Sequence, residues 1–191
     1  PNLLLGHFPP AGPGESDRYL VFNNFFFENA SEALMQAEGN LVVFGNVFVN
    51  RHGPAIHIQP HNDVPKTVTL FNNTVLAATT GIALRNRTPP RWPQRVFANA
   101  VFADSPLVGA SGIGNVLEAY AQAGRMLRRP YAESENVDPS PRQVMRYRDP
   151  QAWPDLPFEP EGIDGHALVA GEIGAVSSAA TMHVPLPGVR P

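Results

Sequence analysis

The sequence predicts an all-β solenoid of about four to five coils of parallel strands, with a C-terminal capping helix and an irregular tail. Three observations lead there. Short apolar segments recur in register along the first 116 residues, and each carries an Asn at the same place. Gly and Pro number 16 and 21 among 191 residues, well above the roughly 12% usual for the pair, so the chain must turn often. Charged residues make up only 16%, against roughly 25% in ordinary soluble domains, which disfavours long solvated helices.

The repeat is clearest where an aromatic residue is followed two positions later by Asn. Four segments align: Val21-Phe22-Asn23-Asn24, Val43-Phe44-Gly45-Asn46, Leu70-Phe71-Asn72-Asn73 and Val96-Phe97-Ala98-Asn99. The final Asn residues are separated by 22, 27 and 26 positions, and a weaker Asn115 follows after 16. Constant segments with variable spacing indicate stacked core strands and loops that differ from coil to coil. The segments are short and rich in Val, Ile and Phe, which favours strands over helices.

A second segment keeps pace with the first. Leu34, Ile56 and Ile82 follow Asn24, Asn46 and Asn73 by 10, 10 and 9 residues. The structural residues Asn24, Asn46, Asn73 and Asn99 are expected at a bend between strands, in the left-handed backbone conformation that Asn tolerates. Their amides would then hydrogen-bond from coil to coil.

Composition divides the chain at about residue 116. Thirteen of 14 Asn and ten of 11 Phe precede it, whereas Arg125, Arg128, Arg129, Arg142, Arg146 and Arg148 follow. Residues 1–116 are assigned to the coils. Residues 117–191 are assigned to a capping helix, with its candidate at Val116 to Leu127, and an extended tail. Frequent prolines forbid long regular elements there, and Trp153, Leu156 and Phe158 are expected to anchor the tail on the solenoid.

These segments resemble the right-handed parallel β-helix repeat of pectate-lyase-like proteins. The clearest coil runs from Thr67 through Ala77 and Gly81-Ile82-Ala83-Leu84-Arg85-Asn86, and the resemblance extends over about residues 3–116. It implies three strands per coil and a polysaccharide groove on the first. Members usually stack more coils, so further N-terminal coils of the same protein are expected before Pro1. The resemblance also implies a secreted, periplasmic or cell-surface location, and it is specific for fold more than for activity.

Carrying the family layout over places Ala33–Met35, Ala55–Ile58 and Gly81–Leu84 on the first strand. Alternation turns His57, Gln59, Ala83 and Arg85 outward. The following loops bring His61, Asn62, Asp63 and Lys66 in one coil and Arg87, Arg91 and Trp92 in the next. His57, Lys66 and Arg85 are therefore the candidate catalytic residues; Gln59, His61, Arg87, Arg91 and Trp92 are the candidate binding residues. Guanidinium groups grip uronate carboxylates, and His or the only lysine, Lys66, would remove the proton alpha to the carboxylate in a β-elimination. The plainer reading of each loop cation is a solvated charge. An adhesion or carbohydrate-binding solenoid without catalysis is the alternative, since the proposed groove holds few of the paired carboxylates that a hydrolase needs.

Other classes find less support. A net charge of −3 offers no global field for nucleic acid. No apolar run is long enough to span a bilayer, and the absence of Cys excludes disulfides and thiolate sites. No cofactor is expected. The His52, His57 and His61 spacing matches no zinc signature, Glu38 and Asp63 are the only calcium candidates, and Gly112-Ile113-Gly114 lacks the rest of a dinucleotide fingerprint.

Overall fold

In the computed structural model, which describes residues 1–6, 12–86 and 89–177, the chain winds as a parallel β-solenoid. The first rung contains β1 (Leu3–Leu5), β2 (Tyr19–Phe22) and β3 (Phe25–Phe27). The next contains β4 (Met35–Ala37), β5 (Gly39–Phe44) and β6 (Val47–Asn50). Above it lie β7 (Ile56–Ile58), β8 (Pro65–Phe71) and β9 (Thr74–Leu84), then β10 (Gln94–Phe97), β11 (Ala100–Val108) and β12 (Val116–Glu118). The two longest strands, β9 and β11, run around a corner, so the end of one rung and the start of the next are a single strand.

Registry is parallel throughout the solenoid. Leu3, Met35, Ile56, Ile82 and Leu107 form one column on the first face. Phe22, Phe44, Phe71 and Phe97 form another on the second. Phe25, Val47, Thr74, Ala100 and Val116 form a third. Side chains alternate across each strand. Val21, Val43, Leu70 and Val96 thus join Met35, Ile56, Ile82, Phe48 and Val75 inside the solenoid.

The complete turns number about three, fewer than the four to five expected from the repeated Asn. The extra Asn residues belong to end rungs. The first has strands of only three or four residues, and at the other end the second face is reduced to a single bridge between Phe97 and Ile113. Registry also shifts one expectation on the first face. Met35, not Leu34, lies opposite Ile56, and the strand runs from Met35 to Ala37 instead of Ala33 to Met35.

At the bend between second and third faces, the left-handed residue is the one before each ladder Asn. Asn23, Gly45, Asn72, Ala98 and Gly114 have φ of 54°, 62°, 47°, 56° and 65°. This corrects the expectation for Asn24, Asn46, Asn73 and Asn99. Reversing the chain at its preceding residue leaves each ladder Asn free to aim its amide along the stack. Asn46 Nδ2 donates to Asn73 Oδ1 at 3.0 Å and to the carbonyls of Val21 and Phe44 at 2.8 and 2.9 Å. The same pattern joins Asn24 to Asn46 and Asn99 to Asn115, at 3.0 Å in each case.

The outward Phe column is stacked with ring centroids 5.2, 5.0 and 5.4 Å apart. Left bare it would expose a large apolar stripe, and burying each ring contributes about 1.5–3 kcal/mol. The tail covers it. Trp153, Leu156 and Leu168 pack against this column, and the Phe158 ring lies 5.0 Å from that of Phe22. Asn72 Nδ2 fastens the tail by donating to Glu172 O at 2.9 Å.

The expected helix from Val116 to Leu127 is reduced to α1 (Ala123–Met126). Val116–Glu118 instead pairs with β11 as a strand, because an open parallel edge offers a full set of backbone partners. Nor does this segment plug the solenoid end. Tyr120, Ala123, Met126 and Leu127 pack on the outward side of the third face, against residues such as Val49, Leu76 and Phe102. A hairpin of β13 (Leu127–Arg129) and β14 (Asp138–Pro141) follows. No helix among the described residues is long and apolar enough to cross a membrane.

Candidate functional site

The tail covers the second and third faces, and the polar groups of the first face remain outside that cover. There Gln36, His57, Ala83 and Val108 form the outward column. Ala83, expected to face solvent, is completely buried. Its single methyl lies in a column between the bulkier His57 and Val108, so it cannot reach past them. His57 is half-buried, and its Nε2 is buried with no hydrogen-bond partner. Burial, followed by the positive charge of Arg85, holds the imidazole below its ordinary pKa of 6.5. Its neutral form is thereby favoured over that of a free imidazole.

The next column adds amide and guanidinium chemistry. The backbone N–H groups of Gln59 and Arg85 continue the strand pairing, donating to Ala37 O at 2.9 Å and Ile58 O at 2.7 Å. Gln59 Nε2 donates to Gln36 Oε1 at 3.3 Å, and Arg85 is exposed. Gln36 was not singled out from the sequence, although its place opposite His57 in the strand register is a detectable signal once Met35 is aligned with Ile56.

Lys66 does not join this group. It lies at the start of β8, buried, with Nζ 2.9 Å from Asp63 Oδ2. Burial raises the Asp63 carboxyl pKa, but hydrogen bonds from Lys66 and the Val64 N–H outweigh it and hold the group ionised below its ordinary value. The pair forms one wall of a cleft of about 610 Å³ whose rim carries Glu15, Arg18 and Trp92. A second hollow of about 250 Å³ lies against the same Trp92 and includes Arg91, Asn86 and three loop prolines. The candidate residues therefore fall into two places: His57, Gln59 and Arg85 on the strand face, and Lys66, Arg91 and Trp92 in the loop clefts. His61 is exposed, and Arg87 lies outside the described residues.

Neither calcium candidate is free to ligate in this arrangement. Glu38 is buried and accepts from the His61 N–H at 2.6 Å and the Asn62 N–H at 3.1 and 3.0 Å, while Asp63 is committed to Lys66. His52 pairs with Glu28 at 3.1 Å, apart from His57. Among the described residues no group of three His, Asp or Glu side chains converges on a metal-sized site.

Comparison with protein-family models, with curated proteins and with solved structures finds no match to this chain.

Proposed function

We propose that the chain is a pectate-lyase-like glycan protein that binds an acidic polysaccharide along its first face and cleaves it by β-elimination. The observation that carries this reading is the placement of His57 and the exposed Arg85 in neighbouring outward columns of the face outside the tail's cover. In such a reaction Arg85 offsets the uronate carboxylate charge, and the neutral imidazole accepts the proton from the carbon next to it. The C–H electrons form a carbon–carbon double bond, the glycosidic C–O bond breaks, and the departing oxygen takes a proton from water. Gln36 and Gln59 supply hydrogen-bonding groups along the same face. A polymer substrate of this kind fits a secreted, periplasmic or cell-surface protein.

A purely binding role is the second reading. It is favoured by the Lys66–Asp63 pair, which removes the only lysine from the catalytic set. The two separate by experiment. Incubation with pectate, alginate and glycosaminoglycans, followed by the absorbance of the unsaturated product, is expected to show turnover that His57→Ala and Arg85→Ala abolish. Binding of a polyuronate without any turnover establishes the second reading instead. Turnover that survives both substitutions removes the site assignment.

A further inference from the structure

The loop cleft beside Trp92 has a composition that the acidic-glycan reading does not use. Its charged lining residues are Glu15, Arg18, Asp63 and Lys66, two of each sign. The inner two are neutralised against one another at 2.9 Å, with side chains 18% and 11% exposed. An anionic sugar entering there finds Arg18 but also faces the Glu15 and Asp63 carboxylates, and drawing on Lys66 as well would break its pairing with Asp63 in a partly dry site. Separating such a pair carries a penalty of several kcal/mol that one new contact does not offset. A carboxylate is therefore a poor occupant.

The same cleft is well equipped for an uncharged, hydroxyl-rich ring. Trp92 is 38% exposed and lines the cleft, and an exposed indole is the kind of surface on which the C–H side of a pyranose packs. Around it, Glu15 accepts hydrogen bonds from hydroxyls, while Arg18 donates to them. Thr67 adds a half-buried hydroxyl. Asn40 is not counted, because its amide holds the neighbouring backbone: Nδ2 donates to Glu15 O and Asp17 O at 3.3 Å each, and Oδ1 accepts from Thr67 N–H at 3.2 Å. That anchoring links the Glu15 segment to β8, so the two sides of the cleft are tied together before any ligand arrives. A volume of about 610 Å³ is ample for one or two sugar rings.

We infer that the Trp92 cleft is a second saccharide site, distinct from the His57–Arg85 face, that takes a neutral pyranose. The inference rests on the glycan reading for the general class of ligand and departs from it in the charge of the sugar. The glycan would then present uncharged residues to the loop side and acidic ones to the first face.

Tryptophan fluorescence tests this in the full chain, because Trp92 and Trp153 are the only two tryptophans. In a Trp153→Phe background, Trp92 reports alone. Neutral hexasaccharides of glucan, xylan, mannan and galactan, and a hexagalacturonate, are titrated up to about 10 mM, a range that captures weak single-site binding. At least one neutral oligosaccharide is expected to shift Trp92 emission, with the hexagalacturonate binding at least about tenfold more weakly at this reporter. By calorimetry, Trp92→Ala is expected to weaken the neutral ligand about tenfold or more, Trp92→Phe to retain most of the affinity, and Arg85→Ala to leave it unchanged. Absence of response to every neutral sugar, equal or tighter binding of hexagalacturonate at Trp92, or loss of neutral-sugar binding on Arg85→Ala would each overturn the inference. Uronate binding that depends on Arg85 without any neutral-sugar response overturns this inference and leaves the acidic-glycan reading standing. Neutral-sugar binding at Trp92 without uronate binding does the reverse.

Discussion

Asn73 is joined twice to Asn99 in the rung beside it. Its backbone N–H and its Nδ2 both donate to Asn99 Oδ1, at 3.0 and 2.9 Å. The same Nδ2 also meets the carbonyls of Val43 and Phe71 at 2.9 and 3.0 Å. One buried side chain therefore meets backbone carbonyls from two rungs.

Removing that amide should be costly. Asn73→Ala removes the amide from the buried Val43 and Phe71 carbonyls and leaves the Asn46 backbone N–H without its acceptor, and it is expected to destabilise the fold by about 3 kcal/mol, from a loss of about 1–3 for each orphaned group after partial relaxation. Asn24→Ala, at the exposed end of the ladder, should cost less than about 1 kcal/mol. Urea denaturation of both variants checks the contrast, and equal losses would mean that the ladder does not stabilise the stack.

Ala98 holds the left-handed bend position with φ of 56°, where Gly45 and Gly114 stand in other rungs. A Cβ in that conformation costs about 1–2 kcal/mol, partly offset by the greater freedom that glycine has when unfolded. Ala98→Gly is accordingly expected to stabilise the protein by about 0.5–1 kcal/mol. The neighbouring strand substitution Ala100→Gly should destabilise it by a similar amount. Thermal melting of the pair tests the opposite signs.

The Phe column should show a gradient from centre to end. Phe71 is fully buried between Phe44 and Phe97 and beneath the tail, so Phe71→Ala should cost about 3–5 kcal/mol. Phe22 is 37% exposed at the end of the column, and Phe22→Ala should cost only about 1 kcal/mol. Trp153→Ala should speed hydrogen exchange in the tail while the ladder strands stay protected, since Trp153 meets the column from outside.

His57 makes stability depend on pH in a definite direction. Its folded pKa lies below 6.5, with burial the leading cause and Arg85 the second. Between the folded and unfolded values the unfolded chain binds more protons, so stability rises with pH through that window. It is fully present above about 6.5 and declines as the pH falls toward the folded value. His57→Gln should flatten that part of the profile. Arg85→Ala should move the His57 titration, followed by proton NMR, upward but still short of 6.5.

The repeat of Asn with an aromatic two positions before it was enough to establish a parallel solenoid and to identify its ladder residues. Both depend on patterns that a strand must carry in the chain itself: alternation, a residue able to bend, and a polar group repeated at the turn. Which residue takes the left-handed bend was not settled by residue type, because Asn23, Gly45 and Asn72 tolerate that region as well as the ladder Asn beside each, Ala98 breaks the pattern, and only the path of the backbone decides between neighbours. The end rungs were counted as full coils for a similar reason, as a ladder Asn marks a turn but not the presence of neighbours on both sides.

The site divides in the same way. His57, Gln59 and Arg85 were placed on one face by the layout that the resemblance implies together with period-two alternation, a local rule that could not foresee the burial of Ala83 in the same column. Lys66 and Trp92 could not be placed in this way, because loop residues have no fixed period and their positions depend on what they meet. Only the folded chain brings Asp63 onto Lys66, gathers Trp92 and Arg18 into one cleft, and lays the tail over two of the three faces. Local pattern therefore determined the solenoid and its ladder, whereas long-range packing decided which cations are neutralised and which face remains open to a ligand.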